Sequence, residues 1–94
     1  MPIFAALYTY AESEAALRDE HRPAHRAWLQ DLVEQGTVLT SGPFPDGSGA
    51  LILVSAADQA AVEKLFADDP FAKNKALHEA RFVEWKPTMG AFAE

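Results

Sequence analysis

Cysteine is absent from the chain, which excludes both a disulfide framework and a thiol nucleophile and fits a reducing compartment. Basic residues are scarce: eight stand against fourteen acidic ones, for a net charge of −6. That balance argues against nucleic acid or an anionic membrane surface as a partner. No stretch approaches the roughly 20 apolar residues of a membrane-spanning helix. The start, Met1-Pro2-Ile3-Phe4, lacks the basic region of a secretory signal, so the expected location is the cytoplasm. A phosphate-cradling loop is missing too, since Gly47-Ser48-Gly49 has neither the spacing nor the lysine.

What the chain does have is apolar content, at 49% of its 94 residues, enough to exclude disorder. This length gives one domain, 1–94, with a core over about 3–87 and a C-terminal tail at 88–94. Ile3 to Tyr10 reads as a strand and is apolar on both alternating faces. Ser13 and Glu14 can open a helical turn. Pro23 predicts a kink or restart at Arg22-Pro23, before a main helix that runs to Gln35 and ends on Gly36. Thr37 to Ser41 is a second strand closed by Gly42-Pro43, followed by a turn through Gly49. Ala50 to Ser55 is a third strand, again apolar on both faces. Ala57 to Ala67 is a helix, Asp69-Pro70 opens a short helical segment to about Ala76, and Phe82 to Trp85 anchors a last strand.

The order β-α-β-β-α-β matches the α+β, ferredoxin-like arrangement with a four-stranded antiparallel sheet. Two helices cover one face of such a sheet, and a wet second face would show clean apolar–polar alternation. The first and third strands do not alternate. A second subunit packed sheet-to-sheet is therefore expected, burying several of Phe4, Ala6, Tyr8, Leu51, Leu53 and Trp85.

His25 shares the apolar stripe of the main helix with Trp28, Leu29, Leu32 and Val33. A polar ring facing a core needs a partner, and Asp69 is the best candidate in the rest of the chain. Imidazole suits a general acid or base, although a core histidine bonded to a backbone carbonyl fits the same position. Asp69 before Pro70 is also a natural helix cap, and a carboxylate has oxygens enough for both tasks. Arg22 and Arg26 are candidates to hold a substrate carboxylate. Surface pairing with Asp19, Glu20 or Asp31 is the other reading, and the one preferred for Arg26. Ser41, ahead of Gly42-Pro43, is a candidate ligand contact or ordinary turn chemistry. His21 and His25 have the i, i+4 spacing of helical metal sites, but Arg22 stands where a zincin needs glutamate and Pro23 intervenes. No metal is expected. His78 reads as a strand-edge residue, and Trp28 and Trp85 as core or interface aromatics.

Arg22-x-x-His25, Gly36 with its following strand, Ser41-Gly42-Pro43, the glycine-bearing turn near Gly49 and Asp69-Pro70-Phe71 occur in the order and spacing of a known family. On these features the chain resembles the YciI-like (YCII-related) family over nearly its whole length. The resemblance implies a ferredoxin-like fold that pairs as a dimeric α/β barrel. It also implies an active site containing the helix histidine and the aspartate of Asp-Pro-Phe, here His25 and Asp69, and some relatives are linked to dehydrochlorination of chlorinated aromatics.

Two functions are expected from different classes. One is a cofactor-independent enzyme of lyase (dehydrochlorinase) or isomerase type, in which His25 and Asp69 are catalytic and Arg22, Ser41, Gly42 and Pro43 bind a small cyclic or aromatic acid. The alternative is a non-catalytic module that binds a small ligand or supports assembly. The partners expected in either case are a second copy of the chain and a small molecule.

Overall fold

A computed structural model of the chain describes residues 1–93. Glu94, the last residue of the expected tail, lies outside the described residues. Four strands, β1 (Ile3–Thr9), β2 (Val38–Pro43), β3 (Gly49–Ser55) and β4 (Glu79–Trp85), form one antiparallel sheet in the order β2-β3-β1-β4. A 3₁₀ turn (Glu12–Glu14) leads into α1 (Ala15–Glu34), while α2 (Gln59–Phe66) and α3 (Pro70–Lys73) join β3 to β4. No helix among the described residues is long and apolar enough to cross a membrane.

The helices lie against one face of the sheet. Phe4, Ala6 and Tyr8 of β1 alternate toward them, and the antiparallel register sets Val54, Ile52 and Ala50 of β3 directly opposite on the same face. Phe66 and Val62 of α2 and Leu32 of α1 close this core. Phe66 meets Trp28 edge-on at 5.3 Å and Phe82 of β4 at 5.2 Å.

The register divides the expected interface residues. Phe4, Ala6 and Tyr8 belong to the helix side, whereas Leu51, Leu53 and Trp85 share the helix-free face with Ile3, Ala5, Leu7 and Val83. On that face Val83 is 41% and Trp85 43% exposed. Both parities are apolar in the sequence, so only strand pairing assigns each to a side.

Helix α1 runs unbroken through Pro23, contrary to the expected kink or restart. Proline removes one helical hydrogen bond and crowds the preceding turn, but Pro23 and Asp19, whose carbonyl loses its donor, both face water. Solvation of that carbonyl, together with the packing of His25, Trp28 and Leu32 beyond it, offsets the break. Val33, placed by periodicity on the apolar stripe, is exposed instead. The helix closes as expected at Gly36, which takes φ +80° while Thr37 N–H donates to the Leu32 carbonyl at 2.9 Å.

Strand β2 continues through Gly42 and Pro43, which pair with Leu51 and Ala50, where closure had been expected at Ser41. It lies at the sheet edge, where proline's missing N–H costs no ladder bond. A bulge between Val38 and Thr40 precedes this stretch. Gly49 then permits β3 to pass β1, because a Cβ there would sit 1.8 Å from the Tyr8 carbonyl oxygen. Helix α3 ends at Lys73 rather than Ala76, since Lys75 takes φ +56° and Ala76 N–H returns to the Phe71 carbonyl. Strand β4 begins three residues before Phe82, at Glu79. Glu79, Arg81 and Glu84 interrupt its apolar residues without strict alternation, which leaves a weak apolar signal.

Candidate active site

Three elements bring together side chains far apart in sequence. Alternation along β1 turns Tyr8 toward the helices, the α1 stripe turns His25 toward the sheet, and the Asp69-Pro70 start of α3 inserts a carboxylate between them. Asp69 is 0% exposed, Tyr8 2% and His25 7%. His25 Nδ1 lies 2.7 Å from Asp69 Oδ1, and the Tyr8 hydroxyl donates to Oδ2 at 2.5 Å. Oδ1 also accepts the Phe71 N–H at 3.0 Å, capping α3. Capping and contact with His25 thus coexist on one carboxylate, with both oxygens used.

Pairing with an acceptor-only carboxylate places a hydrogen on Nδ1 and leaves Nε2 as the free nitrogen of the neutral ring. Among the described residues Nε2 takes no hydrogen bond, yet it is not among the sealed polar atoms. The ring orientation is fixed by Phe71, stacked parallel at 3.9 Å between centroids. Tyr8 is the member of this group that sequence reasoning missed, having placed it among interface candidates. Its partner lies 61 positions away, and no local pattern marks such a pair.

Burial pushes the Tyr8 phenol far above the ordinary tyrosine range, and the negative charge of Asp69 adds to the effect. Tyr8 therefore stays a donor. Above about pH 10 an unfolded tyrosine loses its proton while the folded Tyr8 keeps it. The unfolded state then binds fewer protons, so stability falls as pH rises, by about 1 kcal/mol per pH unit for this group. Tyr8→Phe is expected to be less stable near neutrality, through the lost bond to Asp69, and to show a shallower alkaline decline. Urea melts from about pH 9 to 11 check both, and an unchanged slope would remove Tyr8 as its source.

His25 opens on a cleft of about 490 Å³. Ser41, Gly42 and Pro43 of β2 line it opposite α1, and Arg18, Arg22 and Arg26 line the helix side. Of the sequence-predicted site residues, His25, Arg22, Ser41, Gly42 and Pro43 border this one space, and Asp69 lies behind His25, outside its lining. The surface pairing expected of Arg26 is found at Arg22 instead. Arg22 pairs with Asp19 at 2.6 Å, whereas Arg26, expected to be the surface-paired one, has no carboxylate within 4.0 Å among the described residues. Arg18, which carried no prediction, is 7% exposed, and Tyr10 beneath it is half-buried. Burial raises the Tyr10 phenol while the Arg18 charge opposes the rise. His21 pairs with Glu20 at 3.1 Å, and His78 is exposed just ahead of β4, its N–H donating to the Thr9 carbonyl. Among the described residues no group of three His, Asp or Glu side chains is placed to hold a metal ion.

Among solved structures, 5-chloro-2-hydroxyhydroquinone dehydrochlorinase (TftG) from Burkholderia phenoliruptrix AC1100, in complex with 2,5-dihydroxybenzoquinone, shares this fold. It has a TM-score of 0.79 and 20% sequence identity, with 98% of this chain and 99% of that chain covered. No curated protein matches this chain. The model of the YCII-related domain matches residues 3–86, so the chain belongs to the YCII-related domain family.

Proposed function

We propose that the protein is a cofactor-independent enzyme of lyase or isomerase type, in which His25 Nε2 moves a proton on a small cyclic or aromatic acid. The observation that carries this reading is the division of labour on one ring. Nδ1 is committed to buried Asp69, and among the described residues Nε2 has no partner at a cleft bordered by arginines. Asp69 orients the imidazole and stabilises the imidazolium that forms when Nε2 takes a proton. In an elimination, the electron pair of the broken C–H or O–H bond becomes a new double bond. The carbon–chlorine bond breaks with its pair leaving on chloride, and His25 returns its proton to water. In an isomerisation the same proton is delivered to another carbon of the ring. Arg22 and the wall of Ser41, Gly42 and Pro43 hold the substrate. The dehydrochlorinase activity named for the TftG structure supports the elimination form.

Incubation with 5-chloro-2-hydroxyhydroquinone and a panel of unsaturated lactones tests this reading, following chloride release and ring absorbance. Turnover of at least one compound is the expected result. Tight binding without turnover of any would favour a non-catalytic ligand-binding module instead.

The proposal includes a homodimer closed through the helix-free face of the sheet, supported by the apolar Ile3, Ala5, Leu7, Leu51, Leu53, Val83 and Trp85 gathered there. Sedimentation at micromolar concentration is expected to give a dimer. Val83→Glu, a change at an exposed position, is expected to shift it toward monomer without lowering helix content. A wild-type monomer would refute the pairing.

A further inference from the structure

The chain carries −6 overall, yet three of its four arginines border the cleft, and among the described residues no carboxylate lines it. Within that set Arg18 stands apart. Arg22 is neutralised by Asp19 and Arg26 is solvated, but Arg18 is more than nine-tenths buried with no carboxylate within 4.0 Å among the described residues. Its Nη1 donates to the carbonyls of Ala11 at 2.9 Å and Ala76 at 3.2 Å, and its carbon Cζ lies 4.5 Å from the centre of the Tyr10 ring. Both Nη1 hydrogens and one face of the guanidinium are thereby used, and its position is set.

The edge formed by Nε and Nη2 is left over. Among the described residues neither nitrogen has a hydrogen-bond partner, and neither is sealed from solvent. That edge is the planar fork that receives two oxygens of an anion at once. A buried guanidinium held in place by carbonyls and lacking a counter-charge is unfavourable until an anion arrives. Residues 18 and 25 are seven positions apart on α1, so they share a face two turns apart, about 10 Å along the axis. A substituted six-membered ring can bridge that gap.

We infer that Arg18 is the anchor for an oxyanion substituent of the ligand, a carboxylate, phenolate or enolate, held at the end of the cleft away from His25 while Tyr10 supports the guanidinium from below. This inference rests on the proposed function only in placing the ligand in this cleft, and it selects ionised rings over neutral ones of the same shape. Arg22, already paired with Asp19, contributes less.

Calorimetric titration with 2,5-dihydroxybenzoquinone, an acidic quinone ionised at neutral pH, and with its neutral dimethoxy ether provides the test. Wild type is expected to prefer the anion. Arg18→Met is expected to weaken anion binding at least about tenfold and to leave the ether nearly unaffected. Because Arg18→Met also strips the Ala11 and Ala76 carbonyls of their donor, Arg18→Lys is the companion variant. It keeps the charge and a donor but not the fork, and its anion affinity is expected to fall between the other two. Wild-type affinity in a folded Arg18→Lys protein, a larger loss in Arg22→Met, or no anion preference in wild type would each overturn the inference. Anion binding that depends on Arg18 without turnover of any substrate would overturn the proposed reaction and leave the anchor standing.

Discussion

Replacing His25 with asparagine is expected to lower kcat by about 10²–10⁴-fold on any substrate the wild type turns over, the range that a positioned general acid or base contributes. Asparagine is the informative choice because its amide N–H can still donate toward Asp69 Oδ1, where His25 Nδ1 now lies at 2.7 Å. Asp69 and the start of α3 then keep their partners. What disappears is Nε2, the ring nitrogen that no described residue engages. Binding of 2,5-dihydroxybenzoquinone is expected to change far less than kcat, since the arginines and the β2 wall are untouched. A variant retaining activity within about threefold of wild type would reduce His25 to a packing residue stacked on Phe71.

Asp69→Ala is expected to be the most destabilising single change at the site. The carboxylate is fully buried and accepts from His25, the Tyr8 hydroxyl and the Phe71 N–H. Alanine removes the α3 cap, at about 0.5–2 kcal/mol. It also strands two buried donors, at about 1–3 kcal/mol each. These terms span about 2.5–8 kcal/mol, and a net loss of at least about 3–5 kcal/mol is expected, the range for breaking a buried pair. For a domain of this size that lowers Tm by at least about 12 °C. Asp69→Asn separates the two roles of the residue. Asparagine caps about as well as aspartate when its single oxygen stays at the Oδ1 position, where it still accepts from the Phe71 N–H and His25 Nδ1. Its NH2 then faces Tyr8 and the hydroxyl loses its acceptor, so the stability is expected to fall between wild type and Asp69→Ala. His25 then keeps an acceptor but loses the negative charge that stabilises its imidazolium when Nε2 takes a proton, so activity is expected to approach that of His25→Asn. A thermal melt and a turnover assay on the two variants decide it. If Asp69→Ala costs no more than a cap, the buried network contributes nothing beyond α3.

Much of the architecture was legible because it depends on local chemistry. Gly36 ends α1 because it is the residue that takes a left-handed φ without strain. Asp69-Pro70 starts α3 because a side-chain acceptor and a fixed φ are what a first turn needs. The apolar character of β1 and β3 on both faces announced a covered helix side and an unpartnered apolar side. His25 was legible through the α1 stripe, and Asp69 as the partner a buried imidazole requires.

The misreadings share a different cause. Pro23 and Gly42-Pro43 carry local rules against helix and strand, and each rule yields where the penalty falls on solvent: at Asp19's carbonyl on the exposed side of α1, and along the free edge of β2. Tyr8 and Arg18 were invisible for a deeper reason. Nothing near Tyr8 in sequence tells which face of β1 it takes, and a charged residue such as Arg18 reads as solvated. By itself, the sequence determined which segments become helix and strand, where they stop at Gly36 and start at Asp69, and that His25 turns inward, because those outcomes depend on neighbours within a few positions. Only the tertiary structure decided that Tyr8 meets Asp69 and that Arg18 is buried beside Ala76 with one edge free, because those contacts join β1, α1 and the α3 loop across separations of 61 and 58 residues.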